Sequence, residues 1–175
     1  MIFKWKISVL GDPSVGKTSL VRHYCEGYFR ENYLSTIGVS FLKKSLDLRL
    51  NNDIHKIILQ IWDLGGQIIF SNVRNNYLHG TNGALILFDL TEIMSLNHVA
   101  NWYEEIISAV GKIPVLIIGN KMDLPYKNST LERAKRLCSE LNIEFYITSA
   151  KTGDNMNKIF ERLAELLYIK LFKKD

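Results

Sequence analysis

The stretch GDPSVGKT at residues 11–18 decides the fold, because of what flanks it. Before it runs FKWKISVLG (residues 3–11), whose apolar alternation reads as a strand, and after it KTSLVRHYCEG (17–27) reads as a helix closed by Gly27. Between a strand and a helix, the pattern G-x-x-x-x-G-K-[ST] means a phosphate loop. Such a loop wraps backbone N–H groups round phosphate oxygens at a helix N-terminus, where the helix dipole favours anions. Ser14, Val15, Gly16, Lys17, Thr18 and Ser19 are therefore the candidate phosphate contacts. Lys17 is expected to reach the β- and γ-phosphates, and the Thr18 hydroxyl to hold Mg²⁺. The plain alternative is a glycine turn that merely enters a helix. On its own the loop specifies a nucleoside triphosphate and not which one, since ATP-using kinases carry it too.

Outward from this loop, short apolar runs alternate with amphipathic ones. FLKKSLDLRL (41–50) and IHKIILQIWD (54–63) read as strands joined by the turn NND at 51–53, a hairpin signal. GALILFDL (83–90) and VLIIGN (115–120) are almost wholly apolar, as strands covered on both faces must be. EFYIT (144–148) is a further strand, while residues 28–40 show no period and read as loop. Helical periodicity marks SLNHVANWYEEIISAV (95–110), STLERAKRLCSEL (129–141) with a capping box from Ser129 to Glu132, and NMNKIFERLAELLYIKLF (155–172). The succession predicts an α/β sandwich, with sites at the carboxyl ends of the strands.

Composition excludes several classes. At 175 residues and 47% hydrophobic content, the chain suits one compact domain. Its net charge of +4 comes from scattered basic residues, so nucleic acid is not the expected partner. The two cysteines, Cys25 and Cys138, have no metal-like spacing and read as reduced, mostly buried thiols of a cytoplasmic protein. The four histidines, at 23, 55, 79 and 98, show no ligand spacing and read as surface or interface groups. No signal peptide is read, and no apolar run is long enough to span a bilayer.

The base is specified by NKMD (120–123), directly after a buried strand. The carboxylate of Asp123 can accept from both N1–H and the 2-amino group of guanine, donors that adenine does not offer. A site built for those donors rejects adenine, because the carboxylate would be left unpaired. Ser149, Ala150 and Lys151 follow the last strand, and the Ala150 N–H could meet the guanine O6. As a tripeptide, SAK carries almost no weight alone.

GDPSVGKT, TIG, WDLGGQ, NKMD and SAK stand in the order and spacing of the Ras superfamily of small GTPases, which the chain resembles over essentially its whole length. STIGVSF, LQIWD, ILFDLT and NWYEEI are most similar to the Rab branch, while DLGGQ is closer to Arf proteins. The resemblance implies a single G domain over residues 1–175, with a six-stranded, mostly parallel sheet and helices on both faces. It implies that Phe29 packs against guanine, Tyr33 closes over the γ-phosphate and Thr36 joins Thr18 on Mg²⁺, with Asp63 reaching the metal through water. The Gly66 N–H would meet the γ-phosphate, Gln67 would orient the attacking water, and the Asn120–Asp123 motif would place Lys121, with Lys151, along base and ribose. Phe41, Trp62 and Tyr77 match the Rab aromatic triad, and with Ile68 and Ile69 they would form an effector patch presented only in the GTP state. For Ile68, Ile69 and Phe70, simple packing at the start of a helix is the competing reading.

The function implied is a GTP-binding switch that cycles GTP to GDP with Mg²⁺ as cofactor, in membrane traffic or related signalling. No residue matches a cis arginine, and Arg30 reads as solvated, so turnover of roughly 10⁻⁴ to 10⁻² per second is expected until a GTPase-activating protein supplies one; these magnitudes come from Ras-type proteins themselves. Effectors and an exchange factor are the other expected partners, and a monomer the expected state. Pro13 stands where Ras has a glycine, and Ile68 replaces the acidic residue that serves exchange factors, which puts ordinary exchange in question. The sequence ends FKKD without the cysteines of a prenylated tail, so attachment to the cytosolic face of a membrane is expected only if a tail continues beyond it. Two other readings stand beside this one: a GTP-binding adaptor with negligible hydrolysis, and an ATP-dependent P-loop kinase.

Overall fold

A computed structural model of the chain describes residues 2–30, 38–50, 53–65 and 71–172. Tyr33, Thr36, Gly66, Gln67, Ile68, Ile69 and Phe70 lie outside the described residues, as do the turn residues Asn51 and Asn52.

The core of the fold is a sheet in the order β2-β3-β1-β4-β5-β6. β1 (Ile2–Gly11) pairs in parallel with β3 (Asp53–Leu64) on one side and with β4 (Gly83–Asp89) on the other. β5 (Val115–Asn120) and β6 (Glu144–Ile147) continue the parallel set, while β2 (Val39–Leu50) runs antiparallel to β3 at the opposite edge. Every residue of β4 and of β5 is buried, which is why their sequences are continuous apolar runs rather than alternating ones. The hairpin register puts Leu50 opposite Asp53, so Asp53 opens β3 rather than belonging to the turn.

Helices cover both faces. α1 (Lys17–Glu26) and α6 (Met156–Phe172) lie on one face, where Tyr24 and Phe160 stack with centroids 3.8 Å apart. α3 (Ile93–Asn97), α4 (Val99–Val110) and α5 (Asn128–Leu141) pack on the other, with Leu96, Trp102, Ile106 and Cys138 among the residues closing that core. The helix read over 95–110 is two helices that begin at Ile93 and break at His98. The capping box is not formed: α5 starts at Asn128 behind Lys127, with no side-chain cap bond. α2 (Ser71–Leu78) follows directly on Ile68–Phe70, where one reading of the sequence started a helix and which lie outside the described residues. His55 also departs from expectation: it is buried against Tyr168 (4.8 Å) and Phe3 (5.8 Å). The strand order reverses at β1, which has β3 on one side and β4 on the other, and the crevice at its carboxyl end is where open α/β sheets bind ligands.

Candidate nucleotide and metal site

The loop after β1 needs its glycines for definite reasons. Gly16 has φ +99°, and a Cβ there would lie 2.2 Å from Asn120 Nδ2. A Cβ on Gly11 would lie 2.2 Å from the Leu87 carbonyl oxygen. Only glycine lets the backbone curl this tightly against β4 and the loop after β5. Lys17 is buried and donates to the loop's own carbonyls, Gly11 at 2.8 Å and Asp12 at 2.7 Å, which closes the loop as a ring round the helix N-terminus. Ser14 is exposed with φ +64°, while Val15 is buried and anchors the loop in the core.

One cavity of about 420 Å³ opens beside that loop. Ser14, Gly16, Ser19 and Phe29 line one wall, and Asn120, Lys121, Asp123, Leu124, Ala150 and Lys151 the other. The three loops after β1, β5 and β6 are stapled together by Asn120. Its Nδ2 donates to the Val15 carbonyl (2.8 Å) and its Oδ1 accepts from the Ala150 N–H (2.9 Å), which satisfies a fully buried amide. The Ala150 N–H, expected at a guanine O6, therefore has a protein acceptor already. Asp123 stands exposed at the rim rather than buried, with one carboxylate oxygen accepting from Ser149 Oγ at 2.5 Å. Ser149 Oγ in turn accepts the backbone N–H of Lys151 (3.2 Å) and Thr152 (3.0 Å). Leu124 adds an apolar wall that the sequence reading missed.

Asp89, at the end of β4, was missed as well. Its Oδ2 pairs with Lys121 Nζ at 2.5 Å, while its Oδ1 accepts from the Thr91 N–H (2.9 Å) and hydroxyl (2.7 Å). Lys121 has φ +67° and so turns out of β5 toward that carboxylate. A carboxylate ending the apolar run ILFD was the available signal.

Beneath the loop, Thr18 Oγ1 donates to Asp63 Oδ2, and Asp63 Oδ1 has no hydrogen-bond partner among the described residues. Thr18 is 8% and Asp63 1% exposed, so a carboxylate oxygen is left unsatisfied in the interior. Burial pushes the Asp63 carboxyl above the ordinary carboxylate range, against the pull of the Thr18 hydroxyl and of the Lys17 and Arg22 cations. Hard divalent cations take oxygen ligands of this kind, and an orphaned buried carboxylate oxygen beside a hydroxyl fits one.

On the outer face of β2 and β3 the aromatic triad is assembled. Phe41 meets Trp62 edge-on at 5.3 Å, and Trp62 meets Tyr77 at 6.2 Å. Lys6 Nζ lies over Trp62 at 4.4 Å and donates to the Tyr77 and His79 carbonyls. Phe41 and Tyr77 are exposed, so the triad presents apolar surface. Arg30 is exposed as expected, hydrogen-bonded to Tyr28 and Glu26.

A phosphate loop after β1, a Thr–Asp pair beneath it and an Asn-Lys-x-Asp loop after β5, on a six-stranded sheet with one antiparallel edge, define the class of P-loop GTPases. The sequence pattern described as "Ras family" matches residues 6–169, and the chain belongs to that family. It is 36% identical over 166 residues to the Ras-related protein Rab-5B of Plasmodium falciparum (isolate 3D7), an alignment covering 94% of this chain and 78% of the relative. It is 34% identical over 168 residues to the Ras-related protein Rab-13 of Bos taurus, covering 95% and 81%. The chain is thus a Rab-like small GTPase, a GTP hydrolase.

Proposed function

We propose that this chain works as one G domain that binds GTP or GDP in the cavity between the loops after β1, β5 and β6, and hydrolyses GTP slowly as a timed switch. The observation that carries the reading is the convergence of Gly16, Asn120, Asp123 and Ala150 on one cavity beside the Lys17 loop. Phe29 and the stem of Lys121 flank the space for a base, and Asp123 offers the acceptor guanine requires. Lys17 and the N–H groups of residues 14–19 neutralise and orient the phosphates. Thr18 and Asp63 would hold Mg²⁺, joined by Thr36, and Mg²⁺ supplies charge neutralisation on the phosphate oxygens. Tyr33, Gly66 and Gln67 complete the reading at the γ-phosphate, with Gln67 orienting water; these three and Thr36 rest on the resemblance, since they lie outside the described residues.

The likeness to Rab proteins supports a role in membrane traffic, on the cytosolic side. Among the described residues no helix is long and apolar enough to cross a membrane. The triad of Phe41, Trp62 and Tyr77, continued by Ile68 and Ile69, is proposed as the effector patch, and an activating protein's arginine and an exchange factor complete the cycle.

Competition for a fluorescent GDP analogue tests the nucleotide reading. GTP and GDP should displace it at concentrations where ATP does not, and chelation of Mg²⁺ should speed its release. Displacement by ATP as effective as by GTP would favour the P-loop kinase reading instead.

A further inference from the structure

Asp12 stands inside the loop that grips phosphate, and an acid there opposes the anion the loop is built to hold. The structure shows where its charge goes. Pro13 follows, and the residue before a proline is kept out of helical backbone, which limits the directions Asp12 can take. Its side chain leaves toward the corner between α3 and α4. Trp102 Nε1 donates to Asp12 Oδ1 at 2.8 Å, and His98 Nδ1 lies 2.6 Å from Asp12 Oδ2. A carboxylate can only accept, so Nδ1 carries the proton of that bond.

His98 and Trp102 are four residues apart and share one side of the helical turn, where the Trp102 N–H bonds the His98 carbonyl at 3.1 Å. His98 is also the residue at which the helix expected over 95–110 breaks in two. The backbone of Asp12 is engaged as well, its carbonyl accepting Lys17 Nζ at 2.7 Å. One residue therefore ties the α3–α4 corner, through its side chain, to the phosphate-gripping lysine, through its carbonyl.

We propose that Asp12, His98 and Trp102 form a positioning latch. It holds the Asp12 carboxylate away from the bound polyphosphate and makes the loop's grip depend on the seat of the α3–α4 corner. The inference rests on nucleotide binding at this loop. The His98 side chain is 46% exposed, so the latch can be reached from solvent, and opening it speeds nucleotide loss.

The test follows release of a fluorescent GDP analogue from the Mg²⁺-loaded full chain into excess GDP, with melting temperature measured alongside. Parent protein is measured first, because failure of the parent to retain the analogue would refute the nucleotide site itself. The variants are His98→Ala, Trp102→Phe, which keeps a ring and removes Nε1–H, the two together, and that pair combined with Asp12→Ala. The pair should release GDP at least about tenfold faster, a change of about 1.4 kcal/mol. Adding Asp12→Ala should bring the rate most of the way back, because the freed carboxylate is then gone. His98→Ala alone, at a half-exposed site, should move the rate in the same direction without lowering the melting temperature appreciably. Lost packing at Trp102 cannot be restored by deleting a second side chain. Release unchanged in the pair, or equally fast with Asp12→Ala added, overturns the latch and leaves the nucleotide site standing.

Discussion

Asn120 and Asp123 belong to one motif but do different work. Asn120 spends both ends of its amide on the protein, on Val15 and Ala150, and so holds the cavity in shape. Asp123 stays at the rim, where one oxygen is oriented by Ser149 and the carboxylate lines the cavity. The motif residues were legible because glycine, lysine and a terminal carboxylate at fixed offsets have few other uses beside a strand. Asp89 was marked by the run ILFD, but its pairing with Lys121, and that of Asp12 with His98 and Trp102, was not legible. Those partners are brought together by β4 lying beside β5 and by the α3–α4 corner reaching the loop after β1, and local spacing carries no trace of either. Asp123→Asn is expected to shift preference from guanine toward xanthine, whose 2-oxo group wants a donor where guanine wanted an acceptor. Competition between GTP and XTP measures it, and equal GTP affinity in variant and parent would sink the assignment.

Among the elements, the buried strands and the carboxyl ends of the helices were read correctly, while several helix starts were not. Apolar runs such as ALILF must be covered on both faces wherever they sit, so pattern alone suffices for β4 and β5. Helix starts depend on single hydrogen bonds, and α5 begins a residue before Ser129, behind Lys127, whose side chain makes no cap bond. The break falls at His98, with no proline or glycine beside it, and the His98 side chain contacts Asp12. At the far edge, α6 is tied to β6 by Arg162, whose Nε lies 2.9 Å and Nη2 2.6 Å from the Glu144 carboxylate, while Nη1 lies 2.9 Å from Glu165. The Arg162 bonds hold the Glu144 carboxyl below its ordinary value of 4.5. A depressed carboxyl stabilises above its unfolded value and loses that contribution as the pH falls through the folded one. Arg162→Met should therefore cost about 1 kcal/mol at neutral pH, discounted for the partial exposure of the pair, or roughly 2–4 °C in melting temperature. The gap should narrow in thermal melts as the pH is taken progressively below the ordinary value of 4.5. A gap that stays constant across that range would assign the loss to packing.

At the scale of the whole molecule, one end of the sheet gathers every loop that touches the cavity, while two apolar layers on either face hold β1, β4 and β5 in register. That arrangement supports a nucleotide whose two ends are held by separate loops. In the proposed reading the base would lie against the loops after β5 and β6, and the resemblance assigns the γ-phosphate to Thr36, Gly66 and Gln67. On that reading, loss of the γ-phosphate would release the contacts assigned to those residues without disturbing the base, which is what a switch requires. In the proposed reading Ile68 and Ile69, which lie outside the described residues, would continue the effector surface of Phe41, Trp62 and Tyr77. The proposed function requires that this chain hydrolyse GTP through water oriented by Gln67. Single-turnover hydrolysis of GTP by the full chain with Mg²⁺, compared with Gln67→Leu, tests it most directly. Conversion to GDP is expected at roughly 10⁻⁴ to 10⁻² per second in the parent. The variant should be at least about tenfold slower, with GTP affinity little changed. No conversion by the parent, or equal rates in parent and variant, would contradict it.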